Sequence, residues 1–133
     1  MKNIEIFDST LRDGAQSEGI SFSVSDKLNI VKTLDDFGIK YIEAGNSGSN
    51  PKDIEFFEKV KKLKLNNAVL CAFGSTHRKN VRVEQDENVL SLLAAGTNAV
   101  SIFGKSWDLH VEKILNATLQ KNLELVYNTV KFF

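Results

Sequence analysis

What this sequence lacks narrows it first. It has one cysteine, Cys71, in an apolar run, so no internal disulfide can form and a reducing cytoplasm is the compartment that fits. Its charges cancel, with 17 Lys and Arg against 17 Asp and Glu. Net charge therefore gives no reason to expect nucleic acid or a membrane surface as partner. No stretch approaches the roughly 18 apolar residues of a membrane span, and Met1–Glu5 has none of the apolar run of a signal peptide. Histidine is confined to His77 and His110, which lack metal-ligand spacing, so a joint metal site is not expected. There is no linker, low-complexity tract or internal repeat. The remainder, 133 residues at 42% hydrophobic and 26% charged, suits one globular unit with a real core and is too short for two ordinary domains.

What is present alternates regularly. Ile4–Phe7 reads as a strand. A helical pattern then begins at Ser23-Val24-Ser25-Asp26, with Leu28, Val31 and Leu34 on one face, Ile30 and Phe37 beside it, and Gly38 as its stop. Tyr41–Ala44 is a second strand. Asn50 then caps a helix with Pro51 in its first turn and with Ile54, Phe57, Val60 and Leu63 or their neighbours inward. Ala68–Phe73 is a buried-type strand, Asp86 caps a helix that runs to Gly96, and Asn98–Phe103 is a fourth strand. A short segment from Trp107 to Leu115 precedes a helix over about Ala117–Phe133. Four strand-then-helix units in succession imply an α/β fold with parallel strands and right-handed crossovers. A half of a TIM (β/α)8 barrel and an open flavodoxin-like sheet both satisfy this, but only the open sheet needs the strands out of sequential order.

The chemistry lies in four segments that follow strands: Asp8–Gln16, Glu43–Asn50, Gly74–Lys79 and Gly104–His110. In either fold they gather at the carboxyl end of the sheet, where active sites form. Arg12-Asp13-Gly14 is either a plain turn with Arg12 paired to Asp8, or a site with Asp13 as a hard oxygen ligand to Mg²⁺ or Mn²⁺ and Arg12 as a fixed cation for developing negative charge. Glu43 is either catalytic or an ion-pair partner of Arg12 or Lys105. Gly45–Asn50 resembles a phosphate cradle but matches no nucleotide fingerprint, and an ordinary flexible loop is the plainer reading. Ser75–Lys79 is a solvated basic loop or a carboxylate and phosphate contact. Gly104–Asp108 can supply hydrogen bonds at the mouth, with Trp107 read as a packing residue.

Asp8-Ser9-Thr10-Leu11-Arg12-Asp13-Gly14-Ala15-Gln16 resembles the signature of the metal-dependent Claisen-type synthases and lyases. That family comprises the 2-isopropylmalate, homocitrate and citramalate synthases with hydroxymethylglutaryl-CoA lyase. Phe73-Gly74-Ser75-Thr76, Ile102–Val111, Glu43-Ala44-Gly45 and Ser49–Asp53 are most similar to the citramalate synthase branch, and the resemblance extends through the whole chain. It implies a TIM barrel in which a divalent metal (Mg, Mn or Zn) holds an α-keto acid, pyruvate in the citramalate branch. Acetyl-CoA attacks the ketone and thioester hydrolysis follows, a step of branched-chain amino-acid biosynthesis. By position, Asp13 would be the metal ligand, Arg12 would stabilise the alkoxide, and Gln16 and Glu43 would line the pocket, with Thr76 and Lys105 as further substrate contacts. Ser47 and His77 depart from the family pattern, which carries Pro and a basic residue there.

The family also completes its metal site with a His-x-His pair from a late barrel strand, and no such pair occurs here. Residues 1–133 are therefore expected to form an incomplete domain, half a barrel, in which Asp13 alone binds metal weakly. Its open edges are expected to be covered by a second copy of the chain, a homo-oligomer with little or no synthase activity. A 2-isopropylmalate or homocitrate synthase fragment is one alternative, and a non-catalytic half-barrel that associates with itself or a complementary half is the other.

Overall fold

The computed structural model describes residues 4–133. Four parallel strands, β1 (Phe7–Asp8), β2 (Tyr41–Gly45), β3 (Val69–Ser75) and β4 (Ala99–Phe103), form one sheet in sequential order β1-β2-β3-β4. Each partner is the next strand along the chain, from Phe7↔Tyr41 through Tyr41↔Val69 to Cys71↔Ala99. That order is the one a barrel segment requires, and it removes the open flavodoxin-like alternative. Between the strands run α1 (Val24–Phe37), α2 (Pro51–Val60) and α3 (Glu87–Ala94), and β4 is followed by α4 (Asp108–Lys113) and α5 (Leu119–Phe132).

Local chemistry sets the helix ends. Ser23 caps α1 in a reciprocal capping box with Asp26, and Gly38 ends it in the left-handed region at φ 87°. Asn50 accepts from the Asp53 amide with Pro51 in the first turn of α2, and Asp86 accepts from the Asn88 and Val89 amides at the start of α3. Behind the sheet Val31 of α1 and Phe56, Phe57 and Val60 of α2 pack on Ile42, Ala44 and Ala72, with Leu11 and Leu92 in the same core.

Three expectations fail for identifiable reasons. The first strand is Phe7–Asp8 rather than Ile4–Phe7. Its one sheet neighbour is β2, and Ile4 and Ile6 are exposed. Phe37 is exposed rather than beside the core, because six residues past Val31 carry it about 120° off that face. Ile54 is exposed as well, and the inward positions of α2 are Asp53, Phe56, Phe57 and Val60 at helical spacing. The last helix, α5, lays its buried face on the segments that follow β3 and β4. The His77 amide donates to Thr129 Oγ1 (3.1 Å) and Asn122 Nδ2 donates to the Lys105 carbonyl (2.8 Å). It thus covers one side of the carboxyl end of the sheet.

Candidate active site

The turn after β1 is wound around two acceptors. Asp8 accepts from the Thr10 amide and hydroxyl, both at 3.0 Å, and the Ser9 carbonyl accepts from the amides of Arg12, Asp13 and Gly14 at 3.1, 2.8 and 3.1 Å. Asp8 is therefore a turn former and not the partner of Arg12. This winding sends Leu11 into the core and brings Arg12 across to β2. Arg12 Nε donates to Glu43 Oε2 at 2.7 Å, and Arg12 Nη1 donates to Asp13 Oδ1 at 3.0 Å. The guanidinium carbon sits 4.4 Å from the centroid of the Phe73 ring. Among the described residues Nη2 has no hydrogen-bond partner. Three sides of the guanidinium are fixed, which leaves one edge for a ligand.

Glu43 points from β2 and is 2% exposed. Of its two expected partners the structure selects Arg12; Lys105 instead holds its ammonium 4.8 Å from the Phe103 ring. Cys71, opposite Glu43 in the β2–β3 register, has its thiol pushed up to about 11 by burial and then by the Glu43 charge. A thiol held neutral in that way is no nucleophile at neutral pH.

The predicted residues divide between two cavities. Arg12 and Gln16 line one of about 380 Å³ together with Phe73, Gly45, Asn46 and Lys27. Thr76 and Lys105 line another of about 390 Å³, whose apolar walls are Phe103, Ile114, Leu115 and Leu125. Glu43 stands behind Arg12, and Asp13, two-thirds exposed, lies beside it.

Several readings of the loops are settled by their partners. Gly45–Asn50 is tied down by its own hydrogen bonds. Asn46 Oδ1 takes the Gly48 amide, Ser47 Oγ donates to the Ser91 carbonyl, and Ser49 Oγ donates to Asp53. The cations of the 75–79 loop are engaged within the protein. Arg78 pairs with Asp86 at 3.0 Å, the contact that raises its pKa, and Lys79 donates to the Asn116 carbonyl. His77 Nδ1 lies 3.0 and 2.9 Å from the Arg78 and Val81 carbonyls, while His110 faces Trp107 with ring centroids 4.5 Å apart. The two histidines serve different local structures. Trp107 is about half exposed and packs on His110, not on the core.

The sequence reading missed the buried pair Lys27–Asp53, with Nζ 2.5 Å from Oδ1. Lys27 is 5% exposed. Its position four residues before Val31, on the apolar face of α1, was the available signal.

Metal binding was tested against the donors present. Asp13 offers one exposed carboxylate, Glu43 is taken by Arg12, and among the described residues no group of three or more His, Cys, Asp or Glu could hold an ion. A hard divalent cation takes about six oxygen ligands, so these residues do not by themselves form its site.

Sequential parallel βα units, with an Arg–carboxylate pair joining the segments of the first two strands, define a barrel segment with its charged groups gathered at one end. The chain belongs to the HMGL-like family, which matches residues 3–133. It is 54% identical over 131 residues to the (R)-citramalate synthase of Aquifex aeolicus and 47% identical over 132 residues to that of Geobacter sulfurreducens, covering 98% and 99% of this chain. A 2-isopropylmalate synthase of Lysinibacillus sphaericus is 30% identical over 99% of the chain. The chain spans about a quarter of each of these relatives' length, 25% in all three. Among solved structures, the HMG-CoA lyase of Bacillus subtilis superposes with a TM-score of 0.69 at 20% identity, over 98% of this chain and 42% of that one. The fold is thus part of a barrel.

Proposed function

We propose that this chain supplies the first four βα units of a cytoplasmic synthase that condenses acetyl-CoA with an α-keto acid, pyruvate being the substrate the citramalate synthase relatives favour. The observation that carries the reading is the Arg12 guanidinium, fixed by Glu43 and Phe73 on a residue that lines a cavity of about 380 Å³. When the acetyl methyl carbon, deprotonated to the enolate, attacks the ketone carbon, the ketone π bond breaks and its oxygen becomes an alkoxide. A cation already held in place stabilises that charge with little reorganisation. Glu43 acts through Arg12, as the buried carboxylate that orients it. Gln16 lines the same cavity and is assigned to the keto acid. Thr76 and Lys105, on the apolar cavity, are assigned to the thioester side.

A divalent metal bound in the complete enzyme would take Asp13 as one ligand and would polarise the ketone, with its remaining ligands supplied from outside these residues. The open edges support one further proposal. Ile6 and Phe7 on the β1 side and Phe103, Leu119, Leu123, Tyr127 and Val130 on the β4 side are exposed apolar groups, so the isolated chain is read as a homo-oligomer.

The test is complementation. The chain is joined to the remaining three quarters of a citramalate synthase relative, and free thiol release from acetyl-CoA is followed with pyruvate and with 2-oxoisovalerate. Release with pyruvate preferred supports the reading. No release from a folded chimera whose parent relative is active refutes it.

A further inference from the structure

We infer that the buried Lys27–Asp53 pair is a positioning device that sets the bulge at the end of β2 and thereby aims Glu43 at Arg12. The inference rests on the reading of Arg12 as the reactive cation. In the β2–β3 register Glu43 stands opposite Cys71 but Gly45 stands opposite Ala72, so the strand carries one extra residue at Ala44. A bulge of that kind re-aims the side chains on either side of it.

Three observations tie Lys27 to this bulge. Its Nζ approaches the Ala44 carbonyl at 3.5 Å, the carbonyl of the extra residue. A Cβ on Gly45, at φ 118°, would lie 3.2 Å from the same Nζ and 3.6 Å from the Leu11 carbonyl, so the ammonium, the bulge and the turn that bears Arg12 are in one contact. The ammonium also stands 4.9 Å from the Phe56 centroid, which confines it further. Asp53 holds the other side. It binds Lys27 at 2.5 Å through Oδ1, and Oδ2 accepts from Ser49 Oγ and Asn50 Nδ2 at 2.7 and 2.8 Å, so the β2–α2 loop is tied to the same charge.

An apolar pair of similar volume would fill this space at lower desolvation cost. It would take the ammonium away from the Ala44 carbonyl and the shared carboxylate acceptor away from Ser49 and Asn50. Both Lys27 and Asp53 line the cavity that Arg12 faces, so the pair forms the wall behind the candidate site.

The test reads Arg12 directly, in the ¹⁵N-labelled chain, through the exchange rate of its Nε proton. Arg78 and Arg82, the other arginines, are internal references: Arg78 Nε is bonded to buried Asp86, and Arg82 is exposed. The variant is Lys27→Met with Asp53→Asn, which removes both charges and leaves no unpaired ion. Exchange at Arg12 is expected to quicken about tenfold or more, the worth of one charge-assisted hydrogen bond, with Arg78 unchanged. A folded double variant in which Arg12 exchanges as before overturns the inference, because a purely structural pair would lower stability without touching that proton. Should the double variant unfold, Ser49→Ala decides by the same readout. Loss of one donor to Asp53 should quicken exchange at Arg12 about threefold, and an unchanged rate overturns the inference. A chimera without synthase activity would remove the catalytic meaning of Arg12 but leave this signature in place, so the two failures are distinguishable.

Discussion

Replacing Asp35 by alanine should lower the stability of the chain by about 4 kcal/mol at neutral pH, the sum of three amides that lose their acceptor. Asp35 sits on α1, 3% exposed, and accepts from the amides of Asn66, Asn67 and Ala68 at 2.9, 2.8 and 2.7 Å. Those amides form the turn into β3. Asn66 and Asn67 are exposed and water can reach them after the change, so each should cost about 1 kcal/mol, whereas the half-buried Ala68 amide should cost about 2. The loss is a large share of the roughly 5–15 kcal/mol that a domain of this size has.

The same site has a pH signature. Burial alone would push the Asp35 carboxyl up, but the three amides outweigh it and hold it below the usual carboxylate range. A folded-state pKa below the unfolded one means the contribution is complete above the unfolded value of about 4 and is lost as pH falls through the lower folded value. Urea denaturation of the parent and Asp35→Ala should therefore show a gap that is full at pH 7 and narrows on acidification below about 4. Asp53 and Asp86 are also held low, but they are common to both proteins and cancel in the difference. A gap under about 1 kcal/mol at pH 7, or one that does not narrow in acid, would refute the reasoning.

Arg12→Lys, measured in the complemented synthase, keeps the charge but loses the fork that binds Glu43 and the ligand together. Thiol release should fall about a hundredfold in kcat with the fold intact by circular dichroism, and a variant within a few-fold of the parent would remove Arg12 from the reaction. Sedimentation of the isolated chain should show a dimer or larger species, and Leu123→Lys with Tyr127→Lys, on the exposed stripe of α5, should shift it to monomer. A parent chain that is monomeric at high micromolar concentration would count against the oligomer.

Much of the fold was legible because its signals are local. Asn50 with Pro51, Asp86 and Gly38 mark helix ends by chemistry within one turn of the chain, and each functions as expected; the pattern beginning at Ser23 starts a helix there, closed by a Ser23–Asp26 capping box. The alternation itself implied parallel strands, and their sequential order followed from the barrel reading. The site was legible only in part. Arg12, Glu43 and Gln16 stand out by type and by place, but which partner Glu43 takes depends on how far across the sheet each cation lies. Lys27 announced itself as a charge on an apolar face, yet its counter-ion comes from another helix and no local pattern couples the two. The exposed Ile4, Ile6 and Phe37 were misread because hydrophobicity reports which side chains would gain from burial; whether another element is there to cover them is a tertiary fact.

The division of the mouth into two cavities follows from α5. Its buried face is Asn122, Leu125 and Thr129, two polar residues of three, and both polar groups bond to segments after β3 and β4. Those bonds draw α5 onto the carboxyl ends of these strands, and Leu125 becomes a wall of the cavity that holds Thr76 and Lys105. The Arg12 cavity carries no α5 residue in its lining. One side is thus a polar pocket around a fixed guanidinium, and the other an apolar one with cations near its rim. Phe73 and Phe103, on the neighbouring strands β3 and β4, each belong to one of the two linings, so the strand ends between them separate the two cavities, with Arg12 stacked on the Phe73 side.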